Sequence, residues 1–253
     1  MIILNFSNLK YKLWPFILPI IVIVVWFIVG DVLRIFPDYM LPSLGDVWNS
    51  LVNVVSSGRL LENTISTLVK VFLGIIIASV IAIPLGIFLG VYEKANRFAS
   101  LIISILRPIP PIAWIPFAIL WLGIGLTSSV AVIFLGCFFP MLVAIIDGVK
   151  RTDKVLIEAA RTFGATDIDI LNKIVLPSAL PSIVSGIKVG SGIALMCTVS
   201  AEMIASSNGL GYMILTASNL FNPGLIVVGM LVIGIIGIAF DVIFTQFENK
   251  IFW

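Results

Sequence analysis

Hydrophobic residues in this chain come in six long runs separated by short polar breaks. The runs fall at about residues 13–30, 64–91, 98–122, 129–146, 182–204 and 225–244. Each approaches or exceeds the roughly 17–25 apolar residues that a helix needs to cross a bilayer. The first, Leu13–Gly30, is near the minimum. It is longer than the about 7–15 residues of a signal-peptide core, and no small-residue cleavage site follows it, so it reads as a retained span. The pattern predicts an all-α polytopic membrane protein of about six transmembrane helices.

Finer patterns sit inside the runs. The second carries small residues at every fourth position: Gly74, Ala78, Ala82, Gly86 and Gly90. The fifth does the same with Ser182, Gly186, Gly190, Ala194 and Thr198. In lipid such stripes let two helices approach closely, since packing rather than hydrophobicity drives their association. Pro84 predicts a kink in the second span. The third contains Arg107-Pro108-Ile109-Pro110-Pro111-Ile112-Ala113-Trp114-Ile115-Pro116, and that many prolines cannot leave a regular helix. Backbone freed of its ladder at membrane depth is tolerated only against protein or a wet cavity. Arg107, Pro108, Pro110, Pro111 and Trp114 are therefore candidates for lining a pathway. Between the first two runs, Leu41-Pro42-Ser43 followed by Val47, Leu51, Val54 and Val55 predicts a short amphipathic helix at the membrane surface. Residues 206–211 read as a turn, with a short interfacial helix over 212–220.

The longest polar stretch runs from Asp147 to Pro181. It holds Lys150, Arg151, Lys154, Arg161 and Lys173 against Asp147, Asp153, Glu158, Asp167 and Asp169. Val155–Phe163 has helix formers, with Leu156, Ala159, Ala160 and Phe163 at helical spacing. Gly164 stops that helix. Thr166 caps a second, with Asp169 three residues on reaching back, and Pro177 is expected to end it. The expected object is a capped, broken helical pair, greasy on one side and charged on the other, suited to another protein's groove. The plainer alternative is a loop lying on the membrane surface.

Composition agrees with the spans. The chain of 253 residues is 60% hydrophobic and 11% charged, against about 45–50% and 25% in soluble domains. It has no histidine, which excludes Ser-His and Cys-His catalysis and histidine metal sites. Cys137 and Cys197 lie in apolar runs and read as buried free thiols. No G-x-x-x-x-G-K-[ST] loop occurs, so the chain has no such ATPase site of its own.

Glu158-Ala159-Ala160, then Gly164, then Ile174-x-Leu176-Pro177 resembles the EAA loop of binding-protein-dependent ABC importer permeases, with the spacing EAA-x3-G-x9-I-x-L-P intact. Leu41-Pro42-Ser43, Arg107–Pro111 with Trp114-Ile115-Pro116, Phe138-Phe139-Pro140, and Ala201–Ala205 followed by Gly209-Leu210-Gly211-Tyr212 resemble the nitrate/sulfonate/taurine branch. The likeness covers about residues 40–250. It implies a type I importer permease fold, with residues 1–63 holding the N-terminal tail, first span and external connector. Residues 64–248 would form the transmembrane domain, with 147–181 as its cytoplasmic coupling loop. It implies ATPase coupling through Glu158, Ala159, Ala160, Gly164, Ile174, Leu176 and Pro177. It also implies partners: two copies of a cytoplasmic ABC ATPase that bind ATP and Mg, a second permease copy with a homodimer as the default, an external substrate-binding protein, membrane lipid, and no nucleic acid. This chain would hold no cofactor. The solute would be a sulfonate or taurine, nitrate, bicarbonate or pyrimidine precursor, taken across a prokaryotic cell membrane.

Basic residues orient the chain. Six spans put both termini, the 92–97 turn and the 147–181 loop on one side, with Lys10, Lys12, Lys94, Arg97, Lys150, Arg151, Lys154, Arg161, Lys173 and Lys250. Arg34, Arg59 and Lys70 fall opposite, so the loop side is cytoplasmic. Four charges lie in or near the spans. Lys188 and Asp241 are close enough to an end to snorkel. Arg107 and Glu202 are pathway candidates, Glu202 either lining a gate or pairing with a basic residue. An acidic relay through Glu202 and Asp241 would instead suit an ion-coupled secondary transporter that needs no ATPase.

Overall fold

A computed structural model describes residues 17–251, all helix and connection with no strand among them. The helices are α1 (Ile17–Val32), α2 (Leu44–Ser56), α3 (Arg59–Val91), α4 (Glu93–Leu106), α5 (Ile115–Leu122), α6 (Leu126–Lys150), α7 (Lys154–Thr162), α8 (Asp167–Ile170), α9 (Leu176–Ala205), α10 (Leu210–Asn219) and α11 (Pro223–Ile251). The chain divides into two compact units. One runs up to Arg59 and takes in Thr216–Val228; the other holds Leu60–Leu215 and the chain from Gly229 on.

Four helices among the described residues are long and apolar enough to cross a membrane: Arg59–Val91, Leu126–Lys150, Asp167–Ala205 and Pro223–Glu248. They are the second, fourth, fifth and sixth runs of the sequence. The third run is no straight span. Glu93–Leu106 and Pro111–Leu122 meet at 87°, and Pro111–Trp114 forms a 3-10 turn at the elbow. The expected first span begins among residues outside those described; its described part, Ile17–Val32, is a shorter apolar helix.

In the first unit the expected amphipathic helix is α2. It starts on Ser43, whose hydroxyl accepts from the Asp46 amide while Asp46 accepts from the Ser43 amide. The indole N–H of Trp26 donates to the Pro42 carbonyl at 2.9 Å, and Asp31 accepts from the Leu44 amide at 3.2 Å. These bonds tie α1 to the start of α2.

The core of the second unit is α6 held between α3 and α9. Both small-residue stripes face it. A Cβ on Gly86 would stand 2.7 Å from Ile145 Cγ2, and one on Gly90 2.5 Å from Val149 Cβ. Ala78 and Ala82 are fully buried. On the other flank, Gly190 lies against Met141 and Gly148 against Ser182, both too closely for a side chain. The every-fourth-residue pattern therefore sets which faces meet.

Candidate coupling and pathway sites

The stretch read as a coupling segment is built as its sequence implies. α7 starts on Asp153, whose carboxylate accepts from the Val155 amide at 2.8 Å. Gly164 ends it at φ +80°. The Gly164 amide donates to the Arg161 carbonyl and the Ala165 amide to the Ala160 carbonyl, both at 3.0 Å, a closure that needs left-handed backbone at its centre. Thr166 opens α8 with a capping box. Its hydroxyl accepts from the Asp169 amide at 3.2 Å, and its amide donates to Asp169 at 3.4 Å. Lys173 donates to Asp169 at 2.7 Å. The hydrogen bond from Lys173, then the one from the Thr166 hydroxyl, bring the Asp169 carboxyl down to about 2.

One expectation fails here. Pro177 does not end the second helix: α8 passes through a π turn, Leu171–Val175, directly into α9. The wide turn hands the Leu176 amide to Leu171, five residues back, and Pro177 sits in the first turn of the next segment, where its missing donor is harmless. The result is one 39-residue helix, Asp167–Ala205, about 58 Å long at 1.5 Å per residue. A hydrocarbon core of about 30 Å cannot contain it, so its first turns stand outside.

The segment is two-sided. Ile157, Ala160, Ala165 and Leu171 pack against the core of the second unit. Val155, Leu156 and Ile168 are exposed, and Phe163 is 90% exposed. Among the motif residues, Glu158, Ala159, Gly164 and Pro177 are exposed, while Ala160, Ile174 and Leu176 are half-buried. The Glu158 carboxylate makes no hydrogen bond or ion pair among the described residues. The segment thus presents an apolar, precapped surface with a carboxylate left unpaired among the described residues.

The pathway candidates fall in two places. Arg107, Pro108, Pro110, Pro111 and Trp114 form the elbow after α4. The Pro111 ring sits beside Gly136, where a Cβ would be 3.3 Å from it. Trp114 is half-buried and tilted 54° against Phe117 at 6.2 Å. Arg107 and Pro108 border an open cavity of about 600 Å³ that also touches the last turns of α6.

Glu202 lies elsewhere, in a junction of α3, the end of α9 and the start of α10. It is fully buried and pairs with Lys70 at 2.9 Å, itself 2% exposed. Thr67 donates to both Glu202 oxygens, at 2.9 and 3.0 Å, and the Gly211 amide donates to one at 2.8 Å. Lys70 also reaches Ser206 at 2.9 Å and the carbonyl of Asn208 at 2.6 Å. Every charge here has partners, as burial in low dielectric demands. At Gly209, φ is +110° and a side chain would collide with the Glu202 carboxylate, so glycine is required twice over. Of the two roles expected for Glu202, the structure shows the pairing.

Lys70, Thr67 and Asn208 were missed by sequence reasoning, which placed Lys70 simply among the charges of one side. A signal existed. Lys70 sits four residues before Gly74 and Glu202 four after Thr198, so each extends a small-residue stripe by one step. Lys188 does not merely snorkel either. It donates to Thr245 at 2.9 Å and Glu248 at 3.3 Å and lies 3.7 Å from Asp241. Glu202 and Asp241 thus attend different lysines rather than forming one relay.

The family model described as "Binding-protein-dependent transport system inner membrane component" matches residues 82–252. A protein of Methanocaldococcus jannaschii named as an ABC transporter permease is 41% identical over 97% of this chain and 93% of its own length. The taurine transport system permease protein of Escherichia coli K12 is 31% identical over 87% of this chain and 82% of its own. Among solved structures, the methionine ABC transporter MetNI in an inward-facing conformation superposes with a TM-score of 0.70 over 78% of this chain and 97% of that one, at 23% identity. That likeness shows the fold of a type I importer permease.

Proposed function

This chain belongs to the family of binding-protein-dependent transport system inner membrane components, and on that premise we propose that it is the permease subunit of an ATP-driven importer for a small solute. An external binding protein delivers the solute, and a second copy of this chain completes the pathway. Two cytoplasmic ABC ATPases, which hold the ATP and Mg, seat the α7–α8 segment. Closure of the ATPases pulls that segment and changes which side of the pathway is open. The chain sits in a prokaryotic plasma membrane, with both termini and residues 147–181 in the cytoplasm.

The carrying observation is the segment from Asp153 to Asp169. Caps at both ends and the closure around Gly164 make it rigid, yet it exposes Val155, Leu156, Phe163 and Ile168. A loop that only covered the bilayer would not need such order. The relatives' names favour taurine or another sulfonate as solute; nitrate, bicarbonate and pyrimidine precursors belong to the same class of reading.

The test is association. Glu158→Lys reverses the one free carboxylate of the motif. Gly164→Pro demands φ near −65° where the backbone needs +80°. Both variants should insert normally and lose the ATPase on affinity purification from membranes. Recovery of the ATPase at wild-type yield with both would sink the reading.

A further inference from the structure

We propose that the groove between α4 and the last two turns of α6 binds a small oxyanion, the transported solute on its way out, with Arg107 as its deep cation and Lys150 as its outer one. The proposal rests on the permease reading above and deepens it.

The groove is polar where its helix has no structural need to be. On α4, Phe98, Leu101 and Ile105 are exposed on the apolar side. Asn96, Ser100, Ser104 and Arg107 follow one another at steps of four, four and three along the opposite side and line a space of about 600 Å³. The facing wall, from α6, supplies Asp147 and Lys150. This volume suits a small organic ion with its water, within the usual range of about 300–1,000 Å³ for ligand sites.

Depth sets the direction. Lys150 and Asp147 are at the end of α6 that leads into the coupling segment. Pro111, one turn beyond Arg107, touches Gly136 near the middle of the same helix. The groove therefore climbs from the coupling end toward mid-span and stops at Arg107, where the chain turns through 87°.

Charge bookkeeping then singles out Arg107. Lys70 has Glu202. Lys188 has Glu248 and Asp241. Arg97, at the mouth of α4, has Glu93 at 2.7 Å. The Arg107 side chain has no hydrogen bond or ion pair among the described residues, and neither does that of Lys150. Asp147 shares the groove without pairing with either. A cation within a membrane span is costly and needs a counter-charge; this one has none among the described residues and faces an open, hydroxyl-lined cleft. A guanidinium is also the side chain best shaped to grip a sulfonate, phosphate or carboxylate through two parallel bonds. Asp147 keeps the net charge of the groove low, so a bound anion can leave.

A lipid phosphate has the same chemistry, so the test separates the two sources. Ser104→Cys and, separately, Asn96→Cys are labelled with bimane; the native cysteines are buried. The full chain is placed in phosphatidylcholine nanodiscs and quenched with iodide and with neutral acrylamide. At low salt the iodide-to-acrylamide ratio should exceed that of a label at exposed Ser207→Cys by about tenfold, the lower end of field focusing in a charged cleft. Arg107→Ala should bring it to the Ser207→Cys value, Arg107→Lys should retain a good part of it, and millimolar methanesulfonate should compete with iodide. A ratio indifferent to Arg107 at both labels overturns the proposal. A ratio abolished by phosphatidylglycerol in the nanodisc, with methanesulfonate without effect, overturns it in favour of a lipid headgroup. ATP-driven uptake by the wild type, assayed alongside, tests the permease reading separately: transport without anion preference defeats the groove alone, and anion preference without ATPase association defeats the permease reading alone.

Discussion

The junction around Glu202 and the segment around Glu158 use the same residue types, lysine, carboxylate and threonine, to opposite ends. At the junction, Lys70 and Glu202 are sealed from water and every polar atom is matched. In the α7–α8 segment, Asp169 is matched to Thr166 and Lys173 only to hold the helix start, while Glu158 and Phe163 are left facing outward. The first arrangement secures three helices to one another. The second secures its own backbone and leaves its surface free for something else. Satisfied, buried charge marks architecture; the ordered but unsatisfied surface is what the proposed contact with an ATPase would use.

The largest break in this contrast should come from Lys70→Met. It strands a buried carboxylate, which costs about 3–5 kcal/mol. The detergent-solubilised protein should show a steep drop in thermal midpoint, and Lys70→Met with Glu202→Met should recover most of it. A double variant no better than the single one would mean that the pair does not act as a unit. Thr166→Ala should be milder. It removes one cap, worth about 1 kcal/mol, and should speed hydrogen exchange at the first turn of α8 while the spans keep theirs. The same box has a pH signature. The Asp169 carboxyl titrates near 2 when folded against 3.8 when free, so its contribution is complete above 3.8 and fades as pH falls toward 2. Protection of the α8 amides, taken relative to the unstructured exchange rate at each pH, should accordingly be flat from neutrality down to about 3.8 and fall below it. The smallest effect on stability belongs to Phe163→Ser. At 90% exposure it should change the thermal midpoint by an amount within the about 0.5 kcal/mol typical of surface changes, while weakening recovery of the ATPase. A clear loss of stability would place Phe163 in the fold rather than at a docking surface.

Local grammar explains what the sequence made legible. The stop at Gly164 and the cap at Thr166 depend on neighbours a few residues away, so they could be read directly. The stripes at Gly74–Gly90 and Ser182–Thr198 were legible because lipid packing imposes a four-residue period. The break at Pro108–Pro111 was legible as a break, though not as an 87° elbow, since proline reports the lost ladder and not the direction of the next helix. Two readings failed for other reasons. Pro177 reads as a terminator only under α-helical spacing, and a π turn changes which amide is missed. Lys70 reads as no more than a side marker because its partner lies 132 residues away, beyond any local rule.

The unbroken helix from Asp167 to Ala205 has a mechanical corollary. Its foot is α8 and its head carries Glu202, so under the proposed function it would serve as a connecting rod from the ATPase side of the membrane to the other. A tilt of only about 5° at the foot would swing the head by about 5 Å, given 1.5 Å of rise per residue. The two interruptions of its ladder, the π turn at Leu171–Val175 and Pro181, both lie near the foot rather than midway, which leaves the long remainder as regular helix.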